Sequence, residues 1–176
     1  MVSIVPAGPE HGRGAFAVAD AVRFYPDSAR SADGYLVYVA DPEEYARRFA
    51  ASAASVVAVE DGRVVGFLRA VAGEESELSP ESTALASHLP LPGYVLVDQI
   101  GLLPEYKGQG LAQSMLNAVI AKTKPQRLGA VIMHAPLRNT RSISFFTLRN
   151  GFSLVRELPD DYFTWGYYEK RLDVLS

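Results

Sequence analysis

The sequence predicts an α/β domain built on a mixed sheet, and three observations lead there. Along the C-terminal half the apolar pattern runs strand, helix, strand, helix, strand, strand. Upstream, Asp61-Gly62 separates two β-rich runs, 55–60 and 63–71, as a tight hairpin turn would. The apolar run 94–103 then passes through Gly108 and Gly110 into a helical pattern, giving a strand–loop–helix unit.

Each element has a local reason. Residues 2–6 read as a short edge strand, and the alanine-rich stretch 9–24 has helical spacing until Tyr25-Pro26-Asp27 stops it. The stretch 35–40 is either a strand or an irregular connection. Asp41 then caps a helix that runs to about residue 53, with Pro42 at its first position and Glu43 and Glu44 in its first turn. Residues 73–93 form a long, acidic, proline-bounded loop with a short helix at 82–88; loops of that length usually carry function. The run 94–103 is a buried strand containing Asp98 and Gln99. Leu111, Met115, Leu116, Val119 and Ile120 share one face of a helix over 111–122. A buried strand follows at 128–135. Asn139 then caps a helix over 139–149, which Asn150-Gly151 ends. Strands at 152–157 and 163–172 flank Pro159-Asp160-Asp161.

Composition narrows the function. A chain of 176 residues is most simply one domain, 1–176. It can bury about 70% of its unfolded surface and needs neither staple nor metal to fold. With 17 Lys+Arg against 20 Asp+Glu and no long basic block, neither nucleic acid nor an anionic membrane is expected as the main partner, although a local basic pocket remains open. The absence of cysteine excludes disulfides, thiolate zinc sites and a cysteine nucleophile. MVSIVPAGPEHGRG lacks the pattern of a signal peptide, and no apolar run approaches the ~20 residues of a membrane span. The expectation is a cytoplasmic protein.

The glycine loop carries the chemistry. The first amides of a helix have no intrahelical acceptor, and the helix dipole adds about half a positive charge there, so a phosphate can be held by backbone alone. In Lys107-Gly108-Gln109-Gly110-Leu111-Ala112 the amides from Gln109 to Ala112 form such a cradle, with Lys107 at its rim. A dinucleotide fingerprint would need a third glycine where Gln113 stands, and a Walker loop would need Gly-Lys; neither is present.

The segment VDQIGLLPEYKGQGLAQSML resembles the acetyl-CoA-binding motif of the GCN5-related N-acetyltransferases, the GNAT superfamily. Lys107 replaces the usual Arg or Gln, keeping a cation but losing a planar fork. Downstream, NTRSISFFTLRNGF is similar to the family's Asn-x-x-Ala-x-x-x-Tyr…Gly-Phe helix, with Asn139, Gly151 and Phe152 matching. The resemblance implies a mostly antiparallel mixed sheet with helices on both faces, splayed between the fourth and fifth strands. It implies acetyl-CoA as cosubstrate, no metal, an amine or peptide acceptor, and a homodimer as the usual assembly. The pantetheine arm would pair with strand backbone from Ile100 to Leu103, and a free N–H near Leu102 would serve the oxyanion. Gly101 marks either a bulge there or close packing. Asn139 is a coenzyme contact, a helix cap, or both.

Acyl transfer to an amine needs a base, because an alkyl ammonium with a pKa near 10.4 is almost fully protonated at neutral pH. Asp98, in an apolar strand, is the first candidate; the alternative is a structural carboxylate. His134 has a suitable range or is a satisfied core histidine. Glu74, Glu75 and Glu77 lie on the long loop, facing substrate or simply solvated. The family's acidic Tyr falls on Phe146 counted from Asn139, or on Thr147 counted back from Gly151, and neither is a phenol. Tyr162, Tyr167 or Tyr168 would have to substitute, and Trp165, Tyr167 and Tyr168 line an acceptor pocket or pack as strand core. The leading expectation is therefore an acyl-CoA-dependent N-acyltransferase. The alternatives are a catalytically weak acetyl-CoA-binding sensor of the same fold, and an unrelated α/β binding protein with a chance glycine loop.

Overall fold

The computed structural model describes residues 1–26, 34–72, 78–88 and 91–172. Seven strands form one sheet: β1 (Ser3–Pro6), β2 (Val56–Glu60), β3 (Arg63–Ala72), β4 (Tyr94–Leu102), β5 (Arg127–Ala135), β6 (Ser153–Pro159) and β7 (Thr164–Arg171), in the spatial order β1-β2-β3-β4-β5-β7-β6. Every pairing is antiparallel except β4–β5. Eight consecutive residues of β3 are buried, so helices cover both of its faces.

Local chemistry explains most of the elements. Asp61 and Gly62 both have positive φ, +48° and +79°, as a hairpin turn matched to strand twist requires. Helix α2 (Pro42–Ala51) begins where Asp41 Oδ1 accepts from Glu44 N at 2.7 Å. Helix α1 (Gly12–Ala21) is shorter than its alanine-rich pattern because the chain turns at Val22 and Arg23 bridges to the following segment: Leu36 N donates to Val22 O and Phe24 N to Leu36 O, both at 2.9 Å. Residues 35–40 make only that single bridge and are otherwise irregular. The short helix expected at 82–88 is a 3-10 helix, Pro80–His88.

Past α3 (Leu111–Thr123) and β5, the helix expected over 139–149 is not uniform. A short α4 (Thr140–Ser144) passes into a π turn, Phe145–Arg149. There the Asn150 side chain donates to Phe145 O at 2.9 Å and Thr147 Oγ1 to Ile143 O at 2.8 Å. Side-chain donors thus help satisfy carbonyls that the wider turn frees.

β4 and β5 pair in parallel only over Tyr94–Val97 and Arg127–Ala130, although both strands continue. Beyond Val97 they diverge and leave a gap.

Candidate active site

From β4 the chain makes a 3-10 turn, Pro104–Tyr106, which Tyr106 pins to the β2–β3 hairpin by donating to Glu60 Oε2 at 2.6 Å. Gly108 and Gly110 follow, each at φ +81°, a conformation in which a side chain is strained. A Cβ at either would meet nothing within 4 Å, so the requirement lies in the backbone and the space beside it is open. Gly110 is the N-cap of α3 and offers no capping side chain; the first helical bond runs from Ser114 N to Gly110 O at 3.0 Å. The amides of Leu111, Ala112 and Gln113 therefore have no carbonyl one turn earlier to bond.

Those residues, with Lys107 and Gly108, form one wall of a groove of about 450 Å³. Arg141 and Arg149 line the same groove. Among the described residues the groove's lining holds three cations and no carboxylate, in a chain of net charge −3. Such a site is built for an anion. Of the cradle residues read from the sequence, Gln109 alone turns away: its side chain donates to Glu105 O at 2.9 Å, and it does not line the groove.

The groove opens onto the free edge of β4. Leu103 N donates to Val65 O at 2.9 Å, so its amide points toward β3 and its side chain is in the core. Backbone groups alternate along a strand, which turns those of Ile100 and Leu102 the other way, into the gap. Gly101 is not the bulge. The ladder pairs Arg69 with Gln99 and Ala70 with Val97, leaving Asp98 as the extra residue. Gly101 instead lies where a Cβ would press on Phe67, Leu36 and Val18 at 3.2–3.4 Å.

The profile of the family described as Acetyltransferase (GNAT) family matches residues 19–152. This chain belongs to the GNAT family.

Solved structures agree at the level of fold. The ribosomal-protein-S18-alanine N-acetyltransferase of Escherichia coli is 11% identical, with a TM-score of 0.67 over 100% of this chain and 97% of that one. The PaiA N-acetyltransferase of Thermoplasma acidophilum, solved with coenzyme A, is 15% identical with a TM-score of 0.63, covering 98% and 99%. Diaminobutyrate acetyltransferase EctA of Paenibacillus lautus, in complex with its substrate and coenzyme A, is 14% identical with a TM-score of 0.65, covering 96% and 93%. No match emerged among curated proteins compared by sequence.

Within this GNAT fold the candidate catalytic residues have definite places. Asp98 has a fully buried side chain that accepts from Arg69 Nη1, from Ser79 N at 3.0 Å and from Ser79 Oγ at 2.8 Å. His134 lies at the β5 bulge opposite Met133↔Trp165 and Ala135↔Thr164. Its ring hydrogen-bonds Glu157 Oε1 and Tyr168 Oη, each at 2.7 Å, and covers Gly166. One neutral tautomer satisfies both partners. Thr147 is occupied by Ile143 O, whereas Phe146 is buried and lines the gap. Asn139 caps α4 through Ser142 N and also donates to Tyr35 O at 3.1 Å. Tyr167 donates to Glu169 at 2.5 Å, and its phenol is pushed up, first by burial and then by that carboxylate. Glu74, Glu75 and Glu77 lie outside the described residues.

Sequence reasoning missed Arg141, on α4, and Arg149, at the end of the π turn, which come from far downstream to line the same groove as the cradle. The two arginines inside the NTRSISFFTLRN match were the available signal. It also missed Tyr35, at the junction of groove and gap, and Glu81, at the gap's far end. Reversing both arginines, Arg141→Glu with Arg149→Glu, is expected to weaken coenzyme A binding by about ten- to hundredfold near physiological salt. Titration calorimetry should find the difference narrowed at 1 M salt, where charges are screened beyond about 3 Å.

Proposed function

We propose that this GNAT protein is an acyl-CoA-dependent N-acetyltransferase that moves an acetyl group from acetyl-CoA to a primary amine of a small molecule or peptide. The observation that carries the reading is the uncapped N-terminus of α3 opening directly onto the unpaired edge of β4. The amides of Leu111, Ala112 and Gln113 would hold the diphosphate, and Lys107, Arg141 and Arg149 would add charge. The backbone of Ile100 and Leu102 would pair with the pantetheine arm as an added strand does. In that register the Leu102 N–H faces the gap and is available to a developing oxyanion.

The thioester supplies an activated acyl group. This chain contributes binding, orientation and proton transfer. The amine must lose a proton before it attacks; the C–N bond then forms as the carbonyl opens to a tetrahedral oxyanion, which collapses with cleavage of the C–S bond. A thiolate with a thiol-like pKa of about 8.5 is a fair leaving group without an acid. That matters here, because Phe146 and Thr147 occupy the two positions where the family resemblance places a phenol.

Two measurements test the reading together. Acetyl-CoA is expected to raise the melting temperature, and coenzyme A release is expected to be steady with at least one member of an amine panel. Binding without turnover across the panel would favour the second reading, an acetyl-CoA-binding module, whose support is the same missing phenol. No thermal shift at all would remove both.

A further inference from the structure

Three cavities run in series across the opening of the sheet. The cofactor groove meets the β4–β5 gap at Tyr35 and Ile100, which line both. At its other end the gap meets a second groove of about 280 Å³, and Val37, Glu81 and Trp165 line both of those. The first groove is cationic. The second has three carboxylates, Glu81, Asp160 and Asp161, and four aromatic rings, with no cation among its described lining residues. Such a surface attracts an ammonium and repels a carboxylate; Arg48 already lies over the Tyr38 ring, 5.1 Å from its centroid, and the other three rings favour a cation over their faces.

Glu81 is the one carboxylate of the second groove that also reaches the gap where the thioester would lie. We propose that Glu81 is the general base of acetyl transfer, and that the second groove admits the acceptor as a cationic amine bearing no carboxylate of its own. This rests on the acetyltransferase reading above. The Glu81 carboxylate takes one proton from R–NH₃⁺; the free amine attacks the thioester carbonyl, and coenzyme A leaves as thiolate. The second amine proton neutralises the thiolate, and Glu81 returns its proton to solvent.

The environment suits the role. Burial, and secondarily the Asp98 charge, push the Glu81 carboxyl up to about 7, while Arg48 from α2 opposes them. A base poised near the working pH is the most effective kind. The other titratable groups around Glu81 are Tyr45, whose phenol burial also raises, and Tyr38, Asp160, Asp161 and Tyr162, which line the groove with it. Asp160 is held ionised, its carboxyl lowered first by the Trp165 indole N–H and then by the amides of Tyr162 and Phe163. Asp98 is committed to Arg69 and Ser79 by hydrogen bonds and does not line the second groove, which leaves Glu81 as the carboxylate placed to meet an amine entering there.

The test uses tyramine and tyrosine as a matched pair of acceptors differing by one carboxylate, with thiol release followed from pH 5.5 to 9.5. Tyramine is expected to be acetylated at least tenfold faster than tyrosine, with a rate that climbs through about pH 7. Glu81→Gln should slow turnover by about 10²–10⁴-fold and abolish that rise, while the KM for acetyl-CoA stays within about twofold. Glu81→Asp should retain the pH-dependent rise. A carboxyl signal titrating near 7 in ¹³C-glutamate-labelled protein should vanish in Glu81→Gln. An unchanged rate and pH profile in Glu81→Gln, a preference for tyrosine, or the absence of that carboxyl signal would overturn the proposal. If acetyl-CoA binds but no amine is acetylated, the acetyltransferase reading fails and takes the catalytic role with it.

Discussion

Gly110→Glu is expected to lose acetyl-CoA binding. Gly110 is the N-cap of α3 with φ +81° and ψ 1°, and the space beside it is open. A glutamate there carries a strain of about 1–2 kcal/mol and projects a carboxylate into the place the diphosphate would take. Three charge-assisted amide bonds at about 1.5–3 kcal/mol each are at stake, which corresponds to a Kd increase of about 10³-fold or more. Gly110→Ala separates the two effects, because it strains the turn without adding charge and should weaken binding only about tenfold. Calorimetric titration with coenzyme A decides between them. Full affinity in Gly110→Glu would show that these amides do not hold the diphosphate.

Arg69→Ala is the second large effect, and it acts on folding. Arg69 and Asp98 are an ion pair between β3 and β4, with side-chain exposures of 1% and 0%. Removing the guanidinium leaves a carboxylate buried beside Ser79 with its charge uncompensated, at a cost of about 3–5 kcal/mol. For a domain of this size that lowers Tm by roughly 6–20 °C. The double variant Arg69→Met with Asp98→Leu removes both charges and should recover most of the loss. Thermal melts of the two variants make the comparison. A single variant no worse than the double would show that the pair does not govern stability.

The Glu81 carboxyl makes a contrasting prediction about stability. Its folded pKa lies above the ordinary carboxylate value, so the folded state holds this proton more tightly than the unfolded chain. Stability from this group therefore falls as pH rises through the window from about 4.5 to about 7, and the cost persists above it. Glu81→Gln should consequently melt higher than the parent at pH 8.5 and no higher at pH 4. A residue that weakens the fold where it is charged, yet faces the reaction gap, fits a catalytic group better than a packing one.

Several of these features are legible in the sequence alone. Asp61-Gly62, Asp41-Pro42 and the paired glycines each act within a few residues, through a turn, a cap or a left-handed backbone. The same locality made the glycine loop recognisable as an anion cradle. Errors came where a partner far along the chain intervened. The first helix ended early because Val22 bonds Leu36, and of the two readings left open for Gly101 the close packing holds, the bulge lying at Asp98 because the β3 register decides it. Asp98 drew attention as a lone carboxylate in an apolar strand; its explanation, Arg69, is 29 positions away.

By itself the sequence determined the mixed α/β elements, the family motif and the helix end that can receive phosphate, since all three depend on neighbours in the chain. Only the tertiary structure decided that β4 and β5 separate after Val97, that Arg141 and Arg149 share the groove of the cradle, and that Glu81 lines both the gap and the second groove. Those are consequences of strand register and packing between distant segments, where cavities and buried charges acquire their meaning.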